Sequence, residues 1–343
     1  MGWVLSIDEI QAALDRGQKL DFSRHALEAP RLTLCERFFP LGFAVELRTN
    51  SEAILSQARE LWSRFEPLFN NRPIRLDVHV VDDGDGDASG ECPPAPAQHM
   101  ILPRIYNIAD ARNYIVADLD EAYTRIVMAR ATERHRNYVG YFFLDSAPLC
   151  HIASRLATPI HGGCVAFKGR GMLLTGDSGA GKSSLSYACA RAGWTYTTDD
   201  GSYLLHDAAN ITVTGNCHQV RFRPSAGQLF PEIEGLEITP RAVGKPSIEM
   251  PTSALSRMNC APTASVDYLI FLNRRAGEQQ ELRPFRKDVA RWYLRQLLFG
   301  SADWLAEHYR LIERLLDLEV LELRYTDLNW AVQRLQTLAA EGR

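Results

Sequence analysis

Eight consecutive residues, Gly176-Asp177-Ser178-Gly179-Ala180-Gly181-Lys182-Ser183, have the types and spacing needed to hold a polyphosphate. Three glycines let the backbone curl until successive N–H groups point into one concavity. A helix opening near Lys182 adds its positive end. The lysine ammonium suits the outer phosphates, Ser183 is the expected ligand of Mg2+, and Ser184 can reach an inner phosphate. The octet satisfies G-x-x-x-x-G-K-[ST] throughout, a match expected by chance in roughly one chain in a hundred of this length. A glycine-rich turn with a surface lysine is the alternative. The apolar strand before the octet (Met172-Leu173-Leu174) and the helical pattern after it argue against that alternative.

Two carboxylates, Asp199 and Asp200, follow the strand Trp194-Thr195-Tyr196-Thr197-Thr198. Ligands of open α/β sheets gather outside the carboxyl ends of strands, so the pair is expected beside the phosphates. One carboxylate could hold the metal and the other could accept a proton from an incoming hydroxyl. Asp-Asp-Gly is also ordinary turn chemistry, and a solvated turn is the competing reading. His161, in Thr158-Pro159-Ile160-His161-Gly162-Gly163, precedes the hairpin that feeds the octet. Taken alone, a histidine beside glycines is more often structural. There is no N-K-x-D run for guanine recognition and no long apolar strand ending in Asp-Glu as in motor ATPases.

The elements that must carry these residues are legible as an α/β pattern. Strands are predicted over 42–48, 74–81, 100–106, 113–117 and 124–128. A helix capped by Ser51 covers Ile54, Ala58, Leu61 and Phe65. A further helix is predicted over 134–156. From Thr158 the order becomes hairpin (165–174), glycine-rich loop, helix 183–192 closed by Gly193, and strand 194–198. Strands at 210–214 and 268–273 and helices at 288–298, 302–318 and 327–340 complete the chain. The expected architecture is a smaller N-terminal α/β domain (1–140) and a P-loop domain (141–343) that ends in helices. Residues 82–98, rich in Asp, Gly and Pro, are expected to be a solvated, mobile loop. They miss the calcium-loop pattern because Ala88 replaces the turn glycine and Pro94 the bidentate glutamate.

Composition bounds the functional classes. The 343 residues are 46% hydrophobic and 23% charged, with formal charge −4. That gives no general attraction to nucleic acid or anionic lipid, so neither is an expected partner. The seven cysteines are dispersed without a C-x-x-C pair, which fits reduced thiols better than disulfides or a zinc site. The N-terminus reaches Asp8 and Glu9 before any long apolar run, and Gly2 with Ser6 is taken as a chance fit to an acylation pattern. The sequence reads as a soluble, cytoplasmic protein.

In their order and spacing, Ile160-His161-Gly162, the run from Gly169 through the octet to Ser184, Arg191-Ala192-Gly193-Trp194 and Asp199-Asp200 resemble the catalytic domain of the HPr kinase/phosphorylase family. The match spans about 158–203. The resemblance implies ATP-dependent phosphorylation of a serine hydroxyl, with a related phosphorolysis. It further implies Asp199 as the base, Asp200 at the metal or orienting His161, and assembly into a homo-oligomer. Two features depart from the family. Ser184 stands where a glutamate follows G-K-S, and Glu237-Ile238 runs into Thr239-Pro240-Arg241 instead of the E-I-R-G-x-G signature. The chain therefore resembles a divergent member with a changed acceptor.

The expectation is an ATP- and Mg2+-dependent kinase acting on a hydroxyl of a protein, peptide or small molecule. Its catalytic residues would be Asp199, Asp200, His161 and Lys182, its nucleotide loop 176–184, and its metal ligands Ser183 and Asp200. The alternatives are a nucleotide-binding regulatory or scaffold protein, or an ATPase without an acceptor. Arg221, Arg223, Arg241 and Lys245 are secondary candidates for charge neutralisation or acceptor grip. Arg283-Pro284-Phe285-Arg286-Lys287 loosely resembles a basic stretch of the same family. Trp292, Tyr293, Trp304 and Tyr309 are expected to be packing or interface residues.

Overall fold

The computed structural model describes residues 11–12, 15–16, 30–82, 91–255, 258–274, 279–296 and 298–341. The core of the acidic run (83–90), Gly2, Ser6, Asp8 and Glu9 lie outside the described residues. The chain is mixed α/β and divides into two compact units. One comprises Met1–Arg155 with Pro240–Val243, the other Leu156–Thr239 with Gly244–Arg343. The division thus falls after Arg155 rather than at 140, because most of the helical run 136–156 packs with the first unit. That run, expected as one helix, alternates α-helical turns with two wider π-type stretches, Gly140–Asp145 and Ile152–Leu156.

The first unit is built on a seven-stranded sheet. Its strands are β1 (Leu34–Phe38), β2 (Val45–Thr49), β3 (Ile74–Val81), β4 (Ala97–Ile101), β5 (Arg104–Asp110), β6 (Asn113–Asp118) and β7 (Tyr123–Ala129). They lie in the order β1-β2-β3-β7-β6-β5-β4, parallel only at β2-β3 and β3-β7. Helix α1 (Glu52–Trp62) starts where expected. The Ser51 hydroxyl accepts the Ile54 N–H at 3.3 Å, and Ile54, Leu55, Ala58 and Trp62 turn inward at helical spacing. The single strand expected over 100–106 is instead the turn of a hairpin, β4-β5, because the chain reverses at Leu102-Pro103.

In the second unit, a ten-stranded sheet carries the candidate residues. Strands β8 (Ala157–Phe167) and β9 (Arg170–Thr175) form the expected hairpin, with Lys168 and Gly169 at positive φ in its turn. The glycine-rich loop follows β9 and opens helix α2 (Lys182–Arg191), which Gly193 terminates at φ +88°. On its other side β9 runs parallel to β17 (Tyr268–Arg274), and β17 runs parallel to β19 (Glu319–Tyr325). Along β9, Met172 and Leu174 face one apolar layer with α2 and the C-terminal helix α5 (Leu328–Glu341). Leu173 faces the other layer, with α3 (Lys287–Arg295) and α4 (Ala302–Asp317). Both faces are covered, as a parallel sheet requires. Strand β19 was not expected, since it begins at Glu319 directly after α4 with no turn residue to mark it. Among the described residues no helix is long and apolar enough to cross a membrane.

Strand β8 is longer than its neighbours, and this length positions the acidic pair. Its first half pairs with β11 (Gly201–Leu205) and its second half with β10 (Thr195–Thr198), both antiparallel. Asp199 and Asp200 occupy the step between those partners, opposite Gly162 and Gly163, and the Gly162 N–H donates to the Asp200 carbonyl at 2.8 Å. A Cβ on Gly163 would lie 2.5 Å from Ser186 Oγ on α2 and 3.0 Å from the Thr198 carbonyl oxygen. The missing side chain therefore lets α2, β8 and the acidic step close on one another. We expect Gly163→Ala to destabilise the protein by about 1–3 kcal/mol through overpacking. At roughly 2–4 °C per kcal/mol, this is visible in thermal melts. Ser186 Oγ is buried without a hydrogen-bond partner among the described residues, so Ser186→Ala should restore part of the loss in the double variant. A Gly163→Ala protein that melts like the parent would refute the close approach.

Candidate active site

At the end of β9, the Thr175 hydroxyl donates to the His161 carbonyl oxygen at 2.9 Å and ties the two hairpin arms together. The loop then makes a tight turn, with the Ala180 N–H donating to the Asp177 carbonyl at 3.1 Å. Gly181 is the N-cap of α2 at φ +96° and offers no side-chain cap. The first N–H groups of the helix are therefore not satisfied by a capping side chain. A Cβ at Gly181 would lie 2.3 Å from the Tyr325 hydroxyl, which itself donates to the Ala180 carbonyl at 3.0 Å. Strand β19 thus braces the loop from below.

The Lys182 ammonium folds over the loop, donating to the carbonyl oxygens of Gly176 (2.7 Å) and Asp177 (3.2 Å). Burial lowers its pKa, and the carboxylates of Asp200 and Asp177 oppose that shift. Lys182, Ser183 and Ser184 share one cleft of about 450 Å³ with Ser178, Gly179 and Gly181. The same cleft is lined by His161 and Asp200. Helix α2 and the β8-β11 step therefore present their functional side chains to one space. Of the expected loop residues, Gly176, Asp177 and Ala180 do not line it.

The two aspartates differ sharply in surroundings. Asp200 is about half exposed; its Oδ1 lies 3.3 Å from His161 Nδ1 and its Oδ2 3.5 Å from Arg221 Nη1. Burial lowers the His161 pKa first, the Lys182 charge lowers it further, and Asp200 raises it. Asp199 is 5% exposed and does not line the cleft. Its Oδ1 lies 3.0 Å from the Tyr196 hydroxyl, which is also 2.7 Å from the Gln219 carbonyl oxygen. A phenol has one proton, so Tyr196 can donate to only one of them at a time. Asp199 Oδ2 accepts the Arg221 N–H at 3.2 Å, and Asp199 also accepts from the Ser183 hydroxyl. Burial, with the Asp200 charge adding to it, pushes the Asp199 carboxyl up to about 6, against the opposing hydrogen bonds.

The remaining candidates sort by position. Arg221, held by Asp200 and by Glu249 at 3.8 Å, and Arg223 both line the cleft. Lys245 Nζ lies 3.5 Å from Ser178 Oγ, and Arg241 does not line the cleft. The basic stretch 283–287 is used structurally: Arg283 pairs with Glu322 at 2.7 Å, and Arg286 pairs with Asp288 at the start of α3. Trp292 is exposed and Tyr309 packs under Arg295. Tyr293, expected as a packing or interface residue, also hydrogen-bonds to Thr175 and to the Gly176 backbone at the base of the loop. Arg274, at the end of β17, lines the cleft and was missed, because an arginine at a strand end has no local signature. Among the described residues no group of three or more His, Cys, Asp or Glu side chains could hold a metal ion. The Ser183 hydroxyl lines the cleft and is backed by the buried Asp199, and a hard oxygen donor of this kind suits a magnesium ion that takes its other ligands from phosphate and water.

The raised Asp199 pKa has a stability consequence. An acid held at about 6 in the folded protein, above its ordinary 3.8, favours the fold below pH 4, and that contribution is lost as pH rises to 6. Its size is about 2–3 kcal/mol at 1.36 kcal/mol per unit. The melting temperature of Asp199→Asn minus that of the parent should therefore rise between pH 4 and 6 and level off above. A pH-independent difference would rule out a buried, proton-retaining Asp199.

No family model matches this chain, and no curated protein matches it. Among solved structures the chain is similar to the Hpr(Ser) kinase/phosphatase from Coxiella burnetii at 14% sequence identity. The similarity covers 54% of this chain and 96% of that one, with a TM-score of 0.30. A score of that size does not establish a shared function.

Proposed function

We propose that this chain is an ATP-dependent phosphotransferase that moves the γ-phosphoryl group to a hydroxyl, on a serine of a protein or peptide or on a small molecule. One observation carries the reading: the loop side chains Lys182 and Ser183 and the pair His161–Asp200 line the same 450 Å³ cleft. That volume lies within the usual range of ligand sites. In this reading the β- and γ-phosphates lie against the loop N–H groups and the start of α2, with Lys182 turning from the loop carbonyls to the outer phosphates. Ser183, backed by Asp199, would hold Mg2+, which supplies charge neutralisation on the phosphates when bound.

The acceptor oxygen attacks the γ-phosphorus in line. The P–O bond to the β-phosphate breaks, ADP leaves, and the hydroxyl proton passes to the Asp200–His161 pair. Burial of Asp199 and its three donors favour a supporting role for it at Ser183, and the exposed Asp200 is the carboxylate placed to meet an acceptor. This divides the pair differently from the family resemblance, which implied Asp199 as the base. In this reading Asp200 and His161 offer a base to the acceptor hydroxyl, and Lys182 with the neighbouring arginines neutralises charge on the phosphates.

Calorimetry with Mg·ATP is the direct test. Binding at micromolar to millimolar levels is expected, weakened on the order of 10–100-fold by Lys182→Ala, at 1.4 kcal/mol per decade. No binding by the parent protein would sink the proposal. Label transfer from γ-labelled ATP to a component of native extract, absent with Asp200→Asn that still binds Mg·ATP, separates a kinase from a binder. Steady phosphate release without any acceptor would instead identify an ATPase. Titration of Mg2+ alone should show no tight site, since the described residues offer too few ligands without phosphate oxygens. Submicromolar magnesium binding in the absence of nucleotide would contradict that assignment.

A further inference from the structure

Strand β13 (Gln219–Phe222) pairs with β14 (Ile248–Pro251), and Phe222, opposite Ile248, is buried in the core at 1% exposure. Side chains alternate along a strand, so Arg221 and Arg223, flanking Phe222, emerge on the same side. That side is the cleft: Arg221 reaches Asp200, and both arginines line the space above the loop. Their charges are not equally available. Arg221 is engaged by Asp200 and Glu249, whereas the Arg223 side chain has no carboxylate or hydrogen-bond partner among the described residues.

Backbone contacts hold Arg223 in place. The Arg221 N–H donates to Asp199 Oδ2, the Arg223 carbonyl accepts the Ala226 N–H at 2.9 Å, and Pro224 begins a 3₁₀ turn over Pro224–Gln228. A long cation thus stands on a fixed base within the electrostatic reach of Lys182, whose ammonium it disfavours. The carboxylates of Asp200 and Asp177 act on Lys182 in the opposite direction, and Arg223 adds a positive charge to the same space. The other cations at the cleft are placed differently: Arg274 has its Cδ 3.7 Å from where a Gly181 side chain would begin, and Lys245 sits at Ser178.

We infer that Arg223 is a catalytic residue of this site, an arginine supplied in cis that grips the non-bridging oxygens of the phosphoryl group as it leaves ADP. The inference rests on the phosphotransferase reading and adds a role for a residue that the loop motif does not contain. Arg223 makes and breaks no covalent bond and keeps its protons. It donates charge-assisted hydrogen bonds that are strongest when charge spreads over the transferring group. Its contribution belongs to the transition state, so ground-state nucleotide affinity should barely depend on it.

Binding of Mg·ADP with and without aluminium fluoride, a mimic of the transferring phosphoryl group, reads this difference directly. The parent protein is expected to bind the mimic complex much more tightly than Mg·ADP. Arg223→Ala should keep Mg·ADP affinity within about threefold and lose on the order of 10²-fold of that tightening. Arg223→Lys should recover part of it, since the charge is kept but the fork geometry is not. Melting curves of both variants establish that the fold is intact. Full tightening in Arg223→Ala, or an equal loss of Mg·ADP and mimic binding, would overturn the role. If the parent itself bound no nucleotide, the phosphotransferase reading would fail first and this inference with it.

Discussion

The close approach of backbone to backbone around Gly162 and Gly163 is the constraint on which the rest of the second unit depends. Two residues without side chains on β8 admit the acidic step from one side and α2 from above. The Thr175–His161 hydrogen bond fixes the loop strand against the same point. The glycine-rich loop, His161 and Asp200 come from three separate stretches of chain. They share a cleft because the sheet brings their strand ends to one side and nothing bulky at 162–163 holds them apart. The apolar layers on both faces of β9, β17 and β19 then make that arrangement rigid.

Electrostatics follows from this geometry. The protein carries net negative charge, yet among the described residues the cleft gathers Lys182, Arg221, Arg223 and Arg274 around one half-exposed carboxylate, Asp200. Such a local excess raises the concentration of a polyanion at the loop without any general basic surface. Asp199 escapes the excess by burial. Burial raises its pKa against the hydroxyl and amide donors that surround it and oppose the shift. Asp200 lies beside the Arg221 guanidinium instead. Adjacent residues thus acquire different chemistry from their surroundings alone.

Several elements were legible because their signals are local. Ser51 capping α1, the Lys168-Gly169 turn of the β8-β9 hairpin and Gly193 at the end of α2 each satisfy a backbone requirement within a few residues. The missed elements lack such signals. Strand β19 follows α4 without a turn residue, and the β4-β5 reversal lies inside a run that alternates like one strand. In the candidate site the octet was legible for the same local reason. Arg274 and the loop contact of Tyr293 were not, because each reaches the loop from an element far away in sequence.

The amino-acid sequence by itself determined the loop: glycines at positive φ, a lysine and a serine at the opening of a helix are a property of eight adjacent residues. It also set the histidine before the loop and the acidic pair after it in the chain, whereas the sheet order, with β8 beside β9 and β10 and β11 beyond β8, brings both to one side of the loop strand. Only the tertiary structure decided which carboxylate faces the cleft. Asp199 and Asp200 are neighbours of identical chemistry, and the switch of strand partner along β8 turns one inward to Ser183 and Tyr196 and leaves the other beside His161. Likewise, a pair of arginines two residues apart announces only a strand face. Which one is already paired depends on Asp200 and Glu249, residues that packing alone brings to them.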